Sequence, residues 1–203
     1  MSFLSRAAGL ACLAGVAAVA AFPAAAQQGK CPEPGANSFS VVRDQPFIKA
    51  DVQRDGSQIM VKTTSVVDGK TSQVQTRFDR GLLPVIRADQ SGLIRQSFGP
   101  IPDDFWSFTV GQEISVPVTV DMRGQEKFEG THRITVESIR TLAVGDCEYD
   151  VAMLLQDTDL GFTRLVFRQA YSPRLGFVLA AQRIDPANGE TLSFVSYDRI
   201  EAQ

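Results

Sequence analysis

Hydrophobic and polar residues alternate with a period of two along most of the chain, which is typical of β-strands with one buried face. The clearest case is residues 114–122. There Ile114, Val116, Val118, Val120 and Met122 share one parity, while Ser, Pro, Thr and Asp occupy the other. Five further apolar or alternating runs follow before residue 200, each closed by Gly, Asp, Asn or Pro. This rhythm predicts short strands joined by tight turns.

The first half of the chain has the same rhythm. Asp68-Gly69 separates two strand-like runs, and it predicts a hairpin with a type I′ turn, because both central residues of that turn need positive φ. Residues 39–42 are compatible with a first strand or with a short helical turn. Pro84 predicts an edge strand or a bulge, because proline cannot donate a hydrogen bond to a ladder.

These patterns predict an all-β, mainly antiparallel fold, in which a curved meander sheet forms a half-barrel, a barrel or a sandwich. The proline- and glycine-rich residues 27–38 have no periodicity and form an extended lead-in. Residues 39–203 form a single β-rich domain, because the break at residues 99–104 is too short for an interdomain linker.

Residues 1–26 have the features of a cleavable signal peptide. Arg6 precedes a run of small and apolar residues, and an Ala-Ala-Ala site ends at Ala26. The alternative is an N-terminal membrane anchor, which the short, alanine-rich run disfavours. We therefore expect a periplasmic or secreted protein with no integral membrane segment after cleavage.

Charge disfavours one class of partner. Lys and Arg number 20 against 23 Asp and Glu, for a formal net charge of −3, and loss of Arg6 with the leader makes the charge one unit more negative. The basic residues form no block. Binding to nucleic acid through charge is therefore not expected.

Two cysteines, Cys31 and Cys147, remain after the leader. An even pair in an oxidising compartment predicts a disulfide. The alternative is a pair of free thiols in redox or metal chemistry. With no C-x-x-C motif and a single histidine in the chain, the residues provide no credible metal-ligand set, and we expect neither a metal nor another cofactor.

Candidate catalytic residues are few. His132 shares its parity with Ile134 and Val136, which predicts a position on the apolar side of the sheet or at its rim. Carboxylate pairs occur at Asp103-Asp104, Glu148/Asp150 and Asp157/Asp159, and the last two pairs have the spacing that puts both groups on one face of a strand. Sheets commonly present such pairs to water at strand ends and turns. No recognised catalytic motif accompanies these residues, so we expect no enzymatic activity.

Candidate ligand-binding residues come from two stretches. Phe105, Trp106 and Phe108 form an aromatic cluster that either fills the core or lines an apolar cavity. Arg164 and Arg168 share one parity of a strand. They either clamp an anionic group or pair with acidic residues on neighbouring strands, such as Glu148 or Asp150.

The second half resembles a known group of proteins. The motifs are Val110-Gly111, Y-S-P-R-L-G-F-V at residues 171–178 and Y-D-R-I at residues 197–200. In their order they are similar to uncharacterised periplasmic β-sheet proteins whose architecture is like the LolA/LolB half-barrel. The resemblance covers residues 110–200. It implies an open sheet with an apolar concave face that accepts lipid or acyl chains, and it transfers no catalytic residue.

The functional expectation is a non-catalytic periplasmic binding protein for a hydrophobic ligand, such as a lipid or acyl chain, or for an envelope protein. The first alternative is an envelope-assembly module that pairs through exposed sheet edges, for example near Pro84. The second alternative is a hydrolase with an unrecognised site around His132 and the acidic turns.

Overall fold

The computed structural model describes residues 31–124 and 126–203. The predicted signal peptide and residues 27–30 of the lead-in lie outside the described residues. The strands are Ser38–Arg43 (β1), Phe47–Asp55 (β2), Gln58–Val67 (β3), Lys70–Asp79 (β4), Leu83–Asp89 (β5), Gly92–Phe98 (β6), Glu113–Met122 (β7), Glu126–Val144 (β8), Cys147–Asp159 (β9), Arg164–Ser172 (β10), Phe177–Ile184 (β11), Thr191–Ser196 (β12) and Arg199–Ala202 (β13). A 3-10 helix, Asp103–Ser107, lies between β6 and β7.

All thirteen strands belong to one antiparallel sheet. From β1 to β12 each strand pairs with the next along the chain, and β13 returns to pair with β1. The edge strands are therefore β12 and β13, which are separated by only Tyr197 and Asp198. Across the described residues the sheet is not closed into a barrel. The predicted all-β antiparallel meander is confirmed.

Local sequence explains several of these elements. Asp68 and Gly69 have φ values of 50° and 73°, which confirms the predicted hairpin between β3 and β4. Residues 39–42 lie in β1, so the helical alternative is wrong. The edge prediction at Pro84 is also wrong, because β5 is paired on both sides. The bulge prediction is correct, since the β4–β5 register shifts beside the Phe78–Pro84 pair.

Strand β9 is covered on both of its faces. Val151 and Met153 belong to a first hydrophobic cluster, which joins β9–β11 to β1–β3. Ala152 and Leu154 belong to a second cluster, which includes Phe105 of the 3-10 helix. Successive side chains of a strand point to opposite faces. The sheet therefore curls until residues on both faces of β9 are buried.

Two turns cross each other at one side of the first cluster, and we call this contact the turn crossing (residues 80–82 and 172–176). A Cβ atom on Gly81 would overlap the carbonyl oxygen of Gly176, and both glycines have positive φ. The Tyr171 hydroxyl donates to the Arg80 carbonyl at 2.6 Å. Arg54 Nη2 donates to the Leu175 carbonyl at 2.6 Å. The motif at residues 171–178 is therefore a buried structural junction.

Cys31 and Cys147 form the predicted disulfide, with their Cα atoms 5.7 Å apart. The bond attaches the lead-in to the first residue of β9. The Gly35 amide then donates to the Arg174 carbonyl at 3.0 Å. The lead-in is thus held both to the sheet and to the turn crossing.

Candidate functional site: an apolar cleft

A cleft opens between β3–β4 on one side and β10–β12 on the other. Its volume is about 190 Å³. These two parts of the curled sheet form the walls of the cleft, and a space remains between them. We call it the apolar cleft, and its lining residues are Val61, Thr63, Thr76, Phe78, Gly81, Gln169, Phe177, Val178, Ala180, Ala181, Val195 and Tyr197.

Cross-strand register brings small side chains together in each wall. In one wall, Gln169 of β10 pairs with Ala181 of β11, which pairs with Val195 of β12. In the other wall, Val61 of β3 pairs with Thr76 of β4. Directly opposite residues of antiparallel strands point to the same face. Most of these side chains are short, and space remains between the two walls.

None of the described residues that line the apolar cleft is charged. The one titratable group among them is the phenol of Tyr197, and desolvation raises its pKa to about 12. This side chain is therefore neutral at physiological pH. The cleft offers apolar surface, two threonine hydroxyls, one phenol and one amide.

A row of polar side chains extends from the cleft across one face of β8–β10, and we call it the polar strip (His132, Thr158, Gln156 and Gln169). Gln156 Nε2 donates to Gln169 Oε1 at 2.6 Å. Thr158 follows Gln156 by two residues, so both lie on one face of β9. Thr158 Oγ1 lies 2.7 Å from His132 Nδ1. Gln169 is the member of the strip that lines the cleft.

His132 is buried at the far end of the polar strip, as predicted, with 2% of its surface exposed. The Phe98 ring lies against it at 5.0 Å between ring centroids. Desolvation lowers the pKa of His132 to about 4, against a smaller opposing effect of Asp157. Its Nε2 has no hydrogen-bond partner among the described residues. The imidazole is neutral at pH 7 and has no carboxylate hydrogen-bonded to it.

The aromatic residues chosen from the sequence lie together, but they do not line the apolar cleft. Phe105 and Phe108 are buried in the second hydrophobic cluster. Trp106 lines a separate cleft of about 280 Å³. The Arg80 guanidinium lies 4.6 Å from the centroid of the Trp106 ring, so that ring is partly covered. Their assignment as ligand-binding residues stays a prediction.

The two candidate arginines lie on the outer surface and bind carboxylates. Arg164 forms two hydrogen bonds to Asp157, at 2.9 and 2.6 Å. Arg168 forms two to Glu137, at 2.7 and 3.0 Å. The partners are cross-strand acids, although not Glu148 or Asp150, which the sequence suggested. The hydrogen bond from Arg164 lowers the pKa of Asp157 despite partial burial.

The acidic residues form no recognisable centre. Among the described residues, no group of three or more His, Cys, Asp or Glu side chains is placed to hold a metal ion. A larger cavity of about 510 Å³ lies beside the disulfide. Acidic and basic residues rim it, including Glu33, Glu148 and Arg174, so it lacks the apolar lining of the cleft between the sheet walls.

Sequence reasoning missed Gln156 and Gln169. The signal for Gln156 was its parity, because it continues the buried face of Ala152 and Leu154 in an apolar strand. A polar residue at such a position is informative. Gln169 had the same signal, because it shares its parity on β10 with the apolar residues Leu165, Phe167 and Tyr171.

No helix within the described residues has the length and hydrophobicity needed to cross a bilayer. No protein-family model matches this chain, and comparisons with curated proteins and with solved structures also find no match.

Proposed function

We propose that this protein is a non-catalytic binding protein for a hydrophobic ligand, which it holds in the apolar cleft. The observation that carries the proposal is the uncharged, largely apolar lining of a cleft between two sheet walls. Pockets for compact small molecules commonly measure about 300–1,000 Å³. A volume of about 190 Å³ suits one narrow chain better than a bulky ring system.

The cellular setting belongs to the same proposal. The signal-peptide pattern of residues 1–26 and the Cys31–Cys147 disulfide both favour an exported, periplasmic protein. The resemblance to LolA/LolB-like half-barrels supports an acyl or lipid chain as the ligand. A small cleft within a rigid sheet would hold part of such a chain and shield it from water.

A hydrolase function is less well supported by the structure than ligand binding. Thr158 and His132 are hydrogen-bonded and resemble a nucleophile with its base. A working pair of this kind needs a third group to orient the base and a path for substrate. His132 Nε2 has no such partner among the described residues, and the ring is buried against Phe98.

A second candidate function rests on the sheet edge. Strand β12 is an edge strand without a charged residue, and Leu192 and Phe194 are each 53% exposed. Edge strands without charges or prolines are prone to pair with another chain. Photo-cross-linking from position 194 to an envelope protein is the expected result. Ile139, which is 49% exposed on an interior strand, is the matched control position. Equal cross-linking at both positions would argue against edge pairing.

Binding of a fluorescent chain tests the leading proposal. Methyl trans-parinarate, an uncharged linear polyene, gains fluorescence when it leaves water for an apolar site. We expect saturable binding to the wild-type protein. Ala181→Trp should weaken binding at least tenfold, because Ala181 lines the cleft between Gln169 and Val195.

Gln182→Trp is the matched control. Gln182 follows Ala181 on β11 but does not line the cleft. This variant should bind the probe like the wild type. Absence of saturable binding to the wild type, or equal binding by Ala181→Trp, would refute the proposed function.

A further inference from the structure

The polar groups of the apolar cleft select which end of a ligand can enter it. Four polar side chains face the cleft, and all are neutral: Thr63, Thr76, Gln169 and Tyr197. Gln169 differs from the others because its amide is held by a second side chain. This inference rests on the proposed function and concerns the chemistry of the bound end.

The Gln156–Gln169 hydrogen bond engages the carbonyl oxygen of a side chain that lines the cleft. Gln169 Oε1 accepts from Gln156 Nε2 at 2.6 Å, so the Gln169 carbonyl is engaged. Its amide NH₂ carries two further donors. The strand neighbours of Gln169 are Leu154 and Ala181, whose side chains offer no acceptor. A donor in such surroundings gains from an acceptor on the ligand.

Gln156 fixes the direction of that donor. Gln156 is 5% exposed and lies on β9, one strand further from the cleft than Gln169. Burial restricts its rotamers, and its hydrogen bond turns the Gln169 carbonyl toward β9. The Gln169 NH₂ group then points away from β9. Gln156 is thus a positioning residue, and Gln169 is the residue that touches the ligand.

Charge excludes one class of ligand end. A carboxylate or phosphate that enters the apolar cleft loses hydration and needs a cation or several donors in return. No described lining residue is cationic. Arg168 precedes Gln169 but points to the other face of β10, where it binds Glu137. The cleft therefore has no group that compensates an anion.

We propose that the cleft receives an apolar ligand by an uncharged end that carries a carbonyl group, with Gln169 as the donor to that carbonyl and Gln156 as the residue that orients Gln169. Esters, amides, ketones and aldehydes of a long chain belong to this class. Free fatty acids and phosphorylated lipids enter, if at all, by the tail. An uncharged hydrocarbon binds without the contribution of Gln169.

Competition between matched chains tests the inference. Methyl decanoate, dodecane and decanoate each displace methyl trans-parinarate from the wild-type protein at pH 8, and the three displacement constants are compared. Gln169→Leu should weaken the binding of methyl decanoate about fivefold, which corresponds to the loss of one neutral hydrogen bond. The binding of dodecane should be unchanged. Gln156→Leu should lower the ester-to-hydrocarbon ratio by a smaller factor. A general packing defect would weaken both ligands alike.

Gln182→Leu, at a β11 residue that does not line the cleft, is the matched control and should leave all three constants unchanged. An ester-to-hydrocarbon ratio that is the same in Gln169→Leu and the wild type would overturn the inference while the proposed function stands. Decanoate that competes as well as the ester and depends equally on Gln169 would also overturn it. If no chain binds the wild type, the proposed function and the inference both fail.

Discussion

The turn crossing and the apolar cleft are built from the same parts of the chain but differ in packing. At the crossing, backbone meets backbone, because Gly81 and Gly176 have no side chains. In the cleft, the two sheet walls present side chains such as Thr63 and Ala181, and space remains between them. Gly81 belongs to both regions, since it also lines the cleft. The crossing therefore sets the closest approach of the walls, and the cleft is the space that opens away from it.

The difference shows how a rolled sheet can be both stable and open. Hydrogen bonds from Tyr171 and Arg54 satisfy carbonyl groups at the crossing, so this region has specific polar contacts as well as close packing. Within the described residues, no hydrogen bond joins the lining residues of one cleft wall to those of the other. We expect the turn crossing to contribute to the free energy of unfolding and the apolar cleft to bind the ligand. Four substitutions test how stability and binding are divided.

Gly81→Ala should have the largest effect on stability. A Cβ atom at this position overlaps the Gly176 carbonyl oxygen, and Gly81 also has φ of +70°. Strain at positive φ costs about 1–2 kcal/mol, and overpacking commonly adds about 1–3 kcal/mol. We expect the free energy of unfolding to fall by about 3 kcal/mol, measured by urea denaturation.

Gly69→Ala separates strain from overlap. Gly69 has φ of +73°, and a Cβ atom there meets nothing within 4 Å. Its substitution should cost only the strain, about 1 kcal/mol. Equal losses for the two variants would show that the crossing tolerates a methyl group, and that the two walls can move apart at Gly81.

The sequence predicted strands and turns better than it predicted the contact between distant segments at the turn crossing. Alternation of apolar and polar residues predicts the strands, and Asp68-Gly69 predicts its hairpin, because each depends on neighbouring residues. The burial of His132 followed from its parity with Ile134. The approach of Gly81 to Gly176 joins residues 95 positions apart. No local pattern encodes such a contact, and the cleft it limits was therefore not predicted.

A bulge explains how Pro84 fits into an interior strand. Pro84 lies beside a register shift that lets an interior strand accommodate a proline. A second shift lies between β10 and β11, where Leu179 of β11 is the extra residue. The parity of Arg164 and Arg168 was read correctly, but which parity faces inward depends on the curl of the whole sheet. That curl is set by contacts between distant strands.

His132→Leu should remove part of the pH dependence of the free energy of unfolding, and we expect this effect to be intermediate in size. The pKa of His132 is about 4 in the folded protein and near 6.5 when unfolded. The unfolded chain therefore binds a proton that the folded protein does not. The contribution of the neutral His132 ring to the free energy of unfolding is fully present above about pH 6.5 and is lost as the pH falls toward 4. Between pH 7.5 and 5 we expect the wild type to lose about 2 kcal/mol more than the variant.

Urea denaturation of both proteins at the two pH values gives this difference directly. Carboxylates titrate in both proteins, so their contribution cancels in the comparison. The same loss in wild type and variant would mean that the buried ring is hydrated or finds a partner when protonated. The polar strip would then be accessible to water as far as His132.

Arg168→Ala should have the smallest effect, and it tests whether the outer face of β10 contributes to binding. Arg168 and Glu137 are paired at the surface, with 40% and 30% of their side chains exposed, and such pairs contribute at most about 1 kcal/mol. We expect a loss of unfolding free energy below that value and an unchanged dissociation constant for methyl trans-parinarate. Its neighbour Gln169 faces the cleft, so the two adjacent residues should differ in their effects on binding. A tenfold loss of affinity for trans-parinaric acid, the anionic form of the probe, in Arg168→Ala would instead support the arginine clamp that the sequence suggested, and would move the binding site to the outside of the sheet.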